Sequence, residues 1–250
     1  MPSDYGPETY GDRIADIYDD WVRDAGIDAT TDASVEFLAS LAGEGPVLEL
    51  GIGTGRIALP LAARGIDVHG IDASAEMVVR LREKPDGAAI PVTMGDFAGV
   101  PVEGTYSLIF VVFNTFFALL TQDDQVGCFR EVASRLAPGG AFVLSAFVPD
   151  LSRFDRGQRV DATLVETGRV LLEAARHDPV AQTVTASHVV LTEEGTRIYP
   201  VKLRYAWPSE LDLMARLAGM RLRERFGGWD RDPFTAGSGG HVSVYERDPA

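Results

Sequence analysis

A single cysteine, Cys128, stands among the 250 residues. An intramolecular disulfide is excluded, and so is a zinc site built on cysteines. No metal is expected. Basic residues are scarce as well: Lys and Arg number 23 against 37 Asp and Glu, a formal net charge of -14. Binding to nucleic-acid backbones and anionic membranes depends on Lys and Arg neutralising phosphate, so this balance argues against both partners. Long apolar runs are missing. The longest, over 108–120, is broken by Asn114 and Thr115 and falls short of the roughly 18 apolar residues a spanning helix needs. The opening MPSDYGPETYGDR is polar and acidic, unlike a signal peptide. A soluble, cytoplasmic protein is expected.

What the chain does have is apolar content, 46% of it, enough for one large α/β domain or a domain with a cap. The organising stretch is 47–62, VLELGIGTGRIALPLA. The run 47–50 reads as a buried strand. Gly51, Gly53 and Gly55 then turn the chain, and from Arg56 onward Ile57, Leu59, Leu61 and Ala62 share one helical face. Strand, glycine loop and helix form the ligand-cradling unit of doubly wound α/β folds. The glycine spacing is G-x-G-x-G behind an acid, Glu49. A dinucleotide fingerprint would be G-x-G-x-x-G.

Further strands are predicted at 66–71, 91–94, 106–113 and 141–147, with a helix over 123–136 between the last two. Asp72 stands at the end of the second strand, where an acid can accept from both ribose hydroxyls. A helix cap is the other reading of Asp72. Asp96-Phe97 follows the third strand. The fourth ends at Phe113-Asn114, and ligands of an open parallel sheet sit beyond the carboxyl ends of strands. Phe113 and Asn114 therefore face cofactor or substrate. Phe113, Phe116 and Phe117 include at least one purely core residue.

Glu49 with its glycines, then Asp72, Asp96-Phe97 and the run LAPGGAFVLS, resemble the ordered motifs of the class I S-adenosylmethionine (SAM)-dependent methyltransferases. The resemblance covers 47–148. It implies a Rossmann-like, doubly wound, mostly parallel sheet, with SAM as cofactor and S-adenosylhomocysteine as product. Glu49 and the glycine loop would hold the methionine end, with Arg56 on its carboxylate and Tyr18 nearby. Asp72 would take the ribose and Asp96-Phe97 the adenine; Ala73, Met77 and Phe113 complete the cofactor set. The Asn/Asp-Pro-Pro-aromatic tetrapeptide of adenine-N6 methyltransferases is absent, which counts against a nucleic-acid base as acceptor.

Outside the core the chain divides into a leading segment, a cap and a closing segment. In 1–45, Tyr10, Ile14, Ile17, Tyr18 and Trp21 recur at helical spacing. They predict one amphipathic helix followed by a second over 32–41, either a cover for a sheet edge or a lid over the cofactor. The core occupies 46–148. In 149–207 the strand–helix alternation stops, and about three antiparallel strands are expected at 169–176, 182–191 and 197–207. A helix over 208–218 and strands at 221–226 and 241–247 close the sheet within 208–250. This layout is similar to the amino-sugar N-methyltransferases of antibiotic pathways and to glycine N-methyltransferase-like enzymes. In those the insert covers a small-molecule substrate and can form a homodimer contact. Candidate substrate residues are Tyr10, Asn114, Phe117, Arg204 and Tyr205. His188, flanked by apolar residues, is the candidate base.

Together these features predict a SAM-dependent methyltransferase acting on an O, N or C atom of a small metabolite. The alternatives are a SAM-binding protein that transfers no methyl group and, with less support, an NAD-dependent oxidoreductase.

Overall fold

The computed structural model describes residues 5–24 and 26–248. Its centre is a seven-stranded sheet in the order β10-β11-β5-β4-β1-β2-β3. The first five strands in sequence are β1 (Val47–Leu50), β2 (Val68–Asp72), β3 (Val92–Met94), β4 (Tyr106–Val111) and β5 (Leu136–Phe147). All pair in parallel. Two later strands, β10 (Met220–Phe226) and β11 (Gly240–Arg247), close the edge beside β5 in antiparallel fashion. Parallel strands covered on both faces must be apolar throughout. Every residue of β1 is buried, and in β4 Leu108, Ile109, Phe110 and Val111 are all sealed.

One face of the sheet is covered by α3 (Thr31–Leu41) and α4 (Ala58–Ala62), through Val35, Leu38, Ala58 and Leu61. The other is covered by α6 (Gln122–Arg135) and α7 (Pro208–Leu217), through Phe129, Val132, Leu211 and Met214. α5 (Ala75–Glu83) follows β2 and begins at Ser74, whose Oγ accepts the Met77 amide. The strand order reverses between β1 and β4, so the carboxyl ends of these two strands open a crevice, the usual ligand position in such sheets.

Two expectations are corrected. The leading helix is two helices, α1 (Thr9–Ile14) and α2 (Tyr18–Asp24), broken by a turn at 15–17. On either side of the break Asp12 reaches Ser74 and Asp19 reaches Thr54. The insert has four strands rather than three: β6 (Gln158–Glu166), β7 (Arg169–Asp178), β8 (Thr183–Thr192) and β9 (Gly195–Arg204), in that spatial order and all antiparallel. β6 is an edge strand with a register shift between Ala162 and Leu164. The shift interrupts its alternation and hides it from a period-two reading.

Gly70 shows how tightly the glycine loop sits on the sheet. A Cβ there would lie 2.4 Å from Cδ1 and 2.7 Å from Cβ of Ile52, the residue between the first two loop glycines. Overpacking of this kind costs about 1–3 kcal/mol. Gly70→Ala is expected to lower the unfolding free energy by that amount, read in urea as a lower midpoint at an unchanged m-value.

Candidate active site

The site grows from the end of β1. After Leu50 the amides of Gly51 and Ile52 both donate to the Ile71 carbonyl, at 2.8 and 3.0 Å, so the loop folds over the end of β2. Gly51, Gly53 and Gly55 have φ of 74°, 55° and 80°, in the left-handed region that glycine enters without strain. A Cβ on Gly51 would meet Thr115 Cγ2 at 2.5 Å, and one on Gly55 would meet Leu81 Cδ1 at 2.3 Å.

Asp72 fixes this loop. Its Oδ2 accepts the Gly53 amide at 2.7 Å and its Oδ1 the Ser74 amide at 2.8 Å. The carboxylate is 9% exposed. Burial raises its pKa, and hydrogen bonds from the Ser74, Gly53 and Ala73 amides pull it back. Glu49 lies deeper, 3% exposed, and its Oε2 has no partner among the described residues. Burial pushes its carboxyl well above the ordinary carboxylate range; the Arg56 charge and the Ala58 amide oppose this, and Asp72 adds to it. Arg56 hydrogen-bonds to Tyr18 and, at 3.1 Å, donates to Thr31 Oγ1. Its guanidinium also stands 5.4 Å from the centre of the Phe113 ring.

The lid α1–α2 roofs this region. Ser74 Oγ donates to Asp12 at 2.6 Å, and a Cβ on Gly11 would lie 2.5 Å from Ser74 Cβ. Thr54 Oγ1 donates to Asp19 at 2.6 Å, and Lys84 Nζ meets the other Asp19 oxygen at 2.7 Å. Beneath the lid is a cavity of ≈ 260 Å³. Of the residues singled out by sequence, Tyr10, Tyr18, Gly51, Gly53, Asp72, Ala73, Met77, Asp96 and Phe97 line it. Tyr5, Ser74, Thr115 and Leu119 line it too and were not foreseen. Of these, Ser74 had a signal, as the helix cap next to Asp72.

Glu49, Arg56 and Phe113 stand behind this lining, joined through Tyr18 and the Arg56–Phe113 contact. Asn114 Oδ1 accepts the Phe147 amide at 2.7 Å, tying the end of β4 to the end of β5. Phe117, Arg204 and Tyr205, expected as substrate residues, do not line this cavity. Phe117 is sealed in the core against Phe147, ring centres 5.0 Å apart. Arg204, 5% exposed, spends its guanidinium on Gln125, Gln182 and Glu210, at 2.5, 3.2 and 2.8 Å. Tyr205 is buried, with its hydroxyl 2.8 Å from His177 Nε2. A buried charge must be paired, and Glu210 at the start of α7 meets that need for Arg204. His188 is on β8, its ring 5.0 Å from Trp21 of the lid and outside the cavity lining.

Comparison with known proteins agrees with this architecture. Residues 47–140 match a family model described as a methyltransferase domain. The structure of the CcbJ methyltransferase from Streptomyces caelestis is 45% identical, with a TM-score of 0.90 over 98% of this chain and 100% of that one. The cypemycin N-terminal methyltransferase of a Streptomyces species is 28% identical over 202 residues, 80% of this chain and 82% of its own length. A SAM-dependent methyltransferase from Clostridium acetobutylicum, at 13% identity and a TM-score of 0.79, shares the fold. The chain belongs to the class I SAM-dependent methyltransferases, and its cofactor is SAM.

The residues present fit that cofactor. The unpartnered Glu49 oxygen is a buried acceptor beside a cation, suited to the ammonium of a methionine moiety. Ammonium binding favours the ionised carboxylate, whereas burial holds the free carboxyl protonated above its ordinary range. Binding of S-adenosylhomocysteine is therefore expected to expel about one proton between the ordinary and the raised pKa. Calorimetry in buffers of differing ionisation enthalpy measures this. Glu49→Gln should remove the buffer dependence, and a wild-type heat independent of buffer throughout that window would count against the pairing.

Proposed function

We propose that this methyltransferase acts in the cytoplasm on a small metabolite, with an amine nitrogen as the favoured acceptor. The observation that carries the cofactor half of this reading is the pair of buried acids at the ends of adjacent strands. Asp72 is satisfied by backbone amides, whereas Glu49 keeps one oxygen free. In this reading Glu49 takes the ammonium, and Arg56 with Tyr18 takes the carboxylate. Asp72 takes the ribose hydroxyls. Asp96 takes the adenine amino group, with Phe97 against the ring; Ala73, Met77 and Phe113 fill the remaining wall. The bound sulfonium supplies an activated methyl group. The chain supplies alignment and exclusion of water, which account for most of the protein's part in such a transfer.

Support for a small acceptor comes from the lid and the cap, which are fastened to each other. Lys202 N–H donates to Tyr5 of the leading segment at 3.0 Å, and Arg169 of the cap pairs with Asp24 of the lid at 2.7 Å. Support for nitrogen comes from the name of the cypemycin relative, an N-terminal methyltransferase. Tyr10 of the lid and Asn114 at the end of β4 are the proposed acceptor contacts, with His188 as the base. Pairing of two chains through the cap belongs to the same proposal, and sedimentation velocity reads it.

The test is incubation with methyl-deuterated SAM and a metabolite extract from the source cells. A product carrying the heavy methyl is expected, and its fragmentation locates the accepting atom. SAM bound but never consumed would sink the transfer reading. Asp72→Asn removes a charged acceptor and is expected to weaken SAM binding about tenfold or more, read by titration.

A further inference from the structure

The inner face of the cap carries a polar group in its centre. Registers place Glu173 of β7 opposite His188 of β8, and His188 opposite Tyr199 of β9. Arg159 of β6 reaches across to Glu173 through Nη2 and to Asp161 through Nη1, the latter at 2.6 Å. Its Nε is buried without a partner among the described residues. With Oε1 held by Arg159, the other oxygen of Glu173, Oε2, lies 3.8 Å from His188 Nδ1. The side chains of Arg159, Glu173 and His188 keep 13%, 22% and 17% exposure, so the group is recessed yet reachable. Beside it, Ala175 and Ala186 pair across β7 and β8, and their small side chains leave the face shallow.

This group adjoins the site. The His188 ring lies 5.0 Å from Trp21, and Trp21 lies 6.2 Å from Tyr18 and 6.5 Å from Phe113. Phe113 in turn contacts Arg56. A ring wall thus runs from the glycine-loop side of the crevice to the imidazole. We propose that Glu173, fixed through its other oxygen by Arg159, positions His188 to take the proton an acceptor nitrogen must lose before it attacks. Glu173 is a positioning residue here, and the inference rests on the methyl-transfer reading above.

The chemistry balances without a further reagent. An ammonium acceptor passes its proton to His188 Nε2, and the imidazolium is held through Nδ1–H by Glu173. The freed lone pair forms the nitrogen–carbon bond as the carbon–sulfur bond breaks, its electron pair leaving on sulfur. The separation of 3.8 Å is longer than a hydrogen bond, as catalytic contacts often are before the acceptor binds.

The charges facing His188 can be named for each neighbouring element. β7 brings Glu173, β6 brings Arg159 and Asp161, and β9 brings Tyr199 and the Arg197–Asp16 pair. The lid brings Trp21 and, on Asp24, a carboxylate already paired with Arg169. Burial, with Arg159 adding to it, holds the imidazole below its ordinary pKa. It is therefore neutral and able to accept a proton at neutral pH.

The 250 residues include four histidines, so single His→Gln variants assign the imidazole NMR signals. Glu173→Gln is expected to move the His188 titration midpoint to lower pH, because the imidazolium loses its anion; Glu173→Asp should retain most of the midpoint. An unmoved midpoint overturns the proposal. With the acceptor found by heavy-methyl labelling, wild-type kcat should fall on the acid side as His188 protonates. Glu173→Gln should shift that limb to lower pH and cut the plateau about tenfold, while His188→Gln should abolish the limb and cut kcat about 100-fold. An acid limb that survives in His188→Gln, with wild-type transfer intact, overturns the positioning and leaves the transferase reading standing. A wild type that binds SAM yet methylates nothing overturns both.

Discussion

Two buried carboxylates share the crevice, and their unequal treatment governs the site. Taking an ionised acid out of water is costly unless hydrogen bonds or an opposite charge replace the solvent. Asp72 receives the amides of Gly53, Ala73 and Ser74. These same bonds fix the glycine loop and the start of α5, so the carboxylate is part of the scaffold. Glu49 has the Ala58 amide and the field of Arg56, and one oxygen remains without a partner. Asp72 therefore organises the backbone of the glycine loop, while Glu49 keeps an oxygen with no partner among the described residues.

The lid depends on this arrangement and extends it. Its carboxylates point in two directions. Asp12 and Asp19 reach the core at Ser74, Thr54 and Lys84. Asp16 and Asp24 reach the cap at Arg197 and Arg169. The first set holds the lid on residues that shape the cavity beneath it, since Ser74 lines that cavity and Thr54 follows Gly53, which lines it too. The second set holds it on the sheet that carries His188. Crevice and cap are thus linked through one short helical segment, with Trp21 packed against Phe113 of the one and His188 of the other. The Arg197–Asp16 pair is mostly exposed and adds little. The half-buried Asp24 and Asp19 pairs do more of the fastening.

Much of this was legible in the sequence because burial on both faces writes a parallel strand as a continuous apolar run. β1, β4 and β5 were visible for that reason, and the glycine loop could be read because backbone turns with positive φ select glycine. Asp72 was visible by position, at the end of a strand behind such a loop. The cap was harder. A strand with one solvated face alternates, and β6 loses even that at its register shift. The side chains of Arg204 and Tyr205 could not be allocated, because an arginine on a strand looks the same whether it meets a ligand or a buried glutamate. The glutamine that receives Arg204 is 79 positions away. Such pairings belong to the topology and have no local trace. The turn between α1 and α2 was hidden likewise, since the aromatic spacing runs through it unbroken.

The cap's inner face poses a last question of energetics. Around the polar centre the face is apolar, with Leu171, Ala175, Ala186 and Tyr199 buried. Replacing a half-buried ion pair with apolar side chains of similar volume often leaves a protein as stable or more so. Arg159 leaves its Nε unsatisfied, and its charge is partly desolvated. As a source of stability the Arg159–Glu173 pair is therefore weak. As a device for His188 it is well constructed. The arginine occupies one carboxylate oxygen and leaves the other directed at the imidazole. Its positive charge also keeps the ring neutral until a proton arrives, when Glu173 is placed to offset the new charge. The pair's contribution lies in the state of the imidazole it faces, more than in holding the cap together.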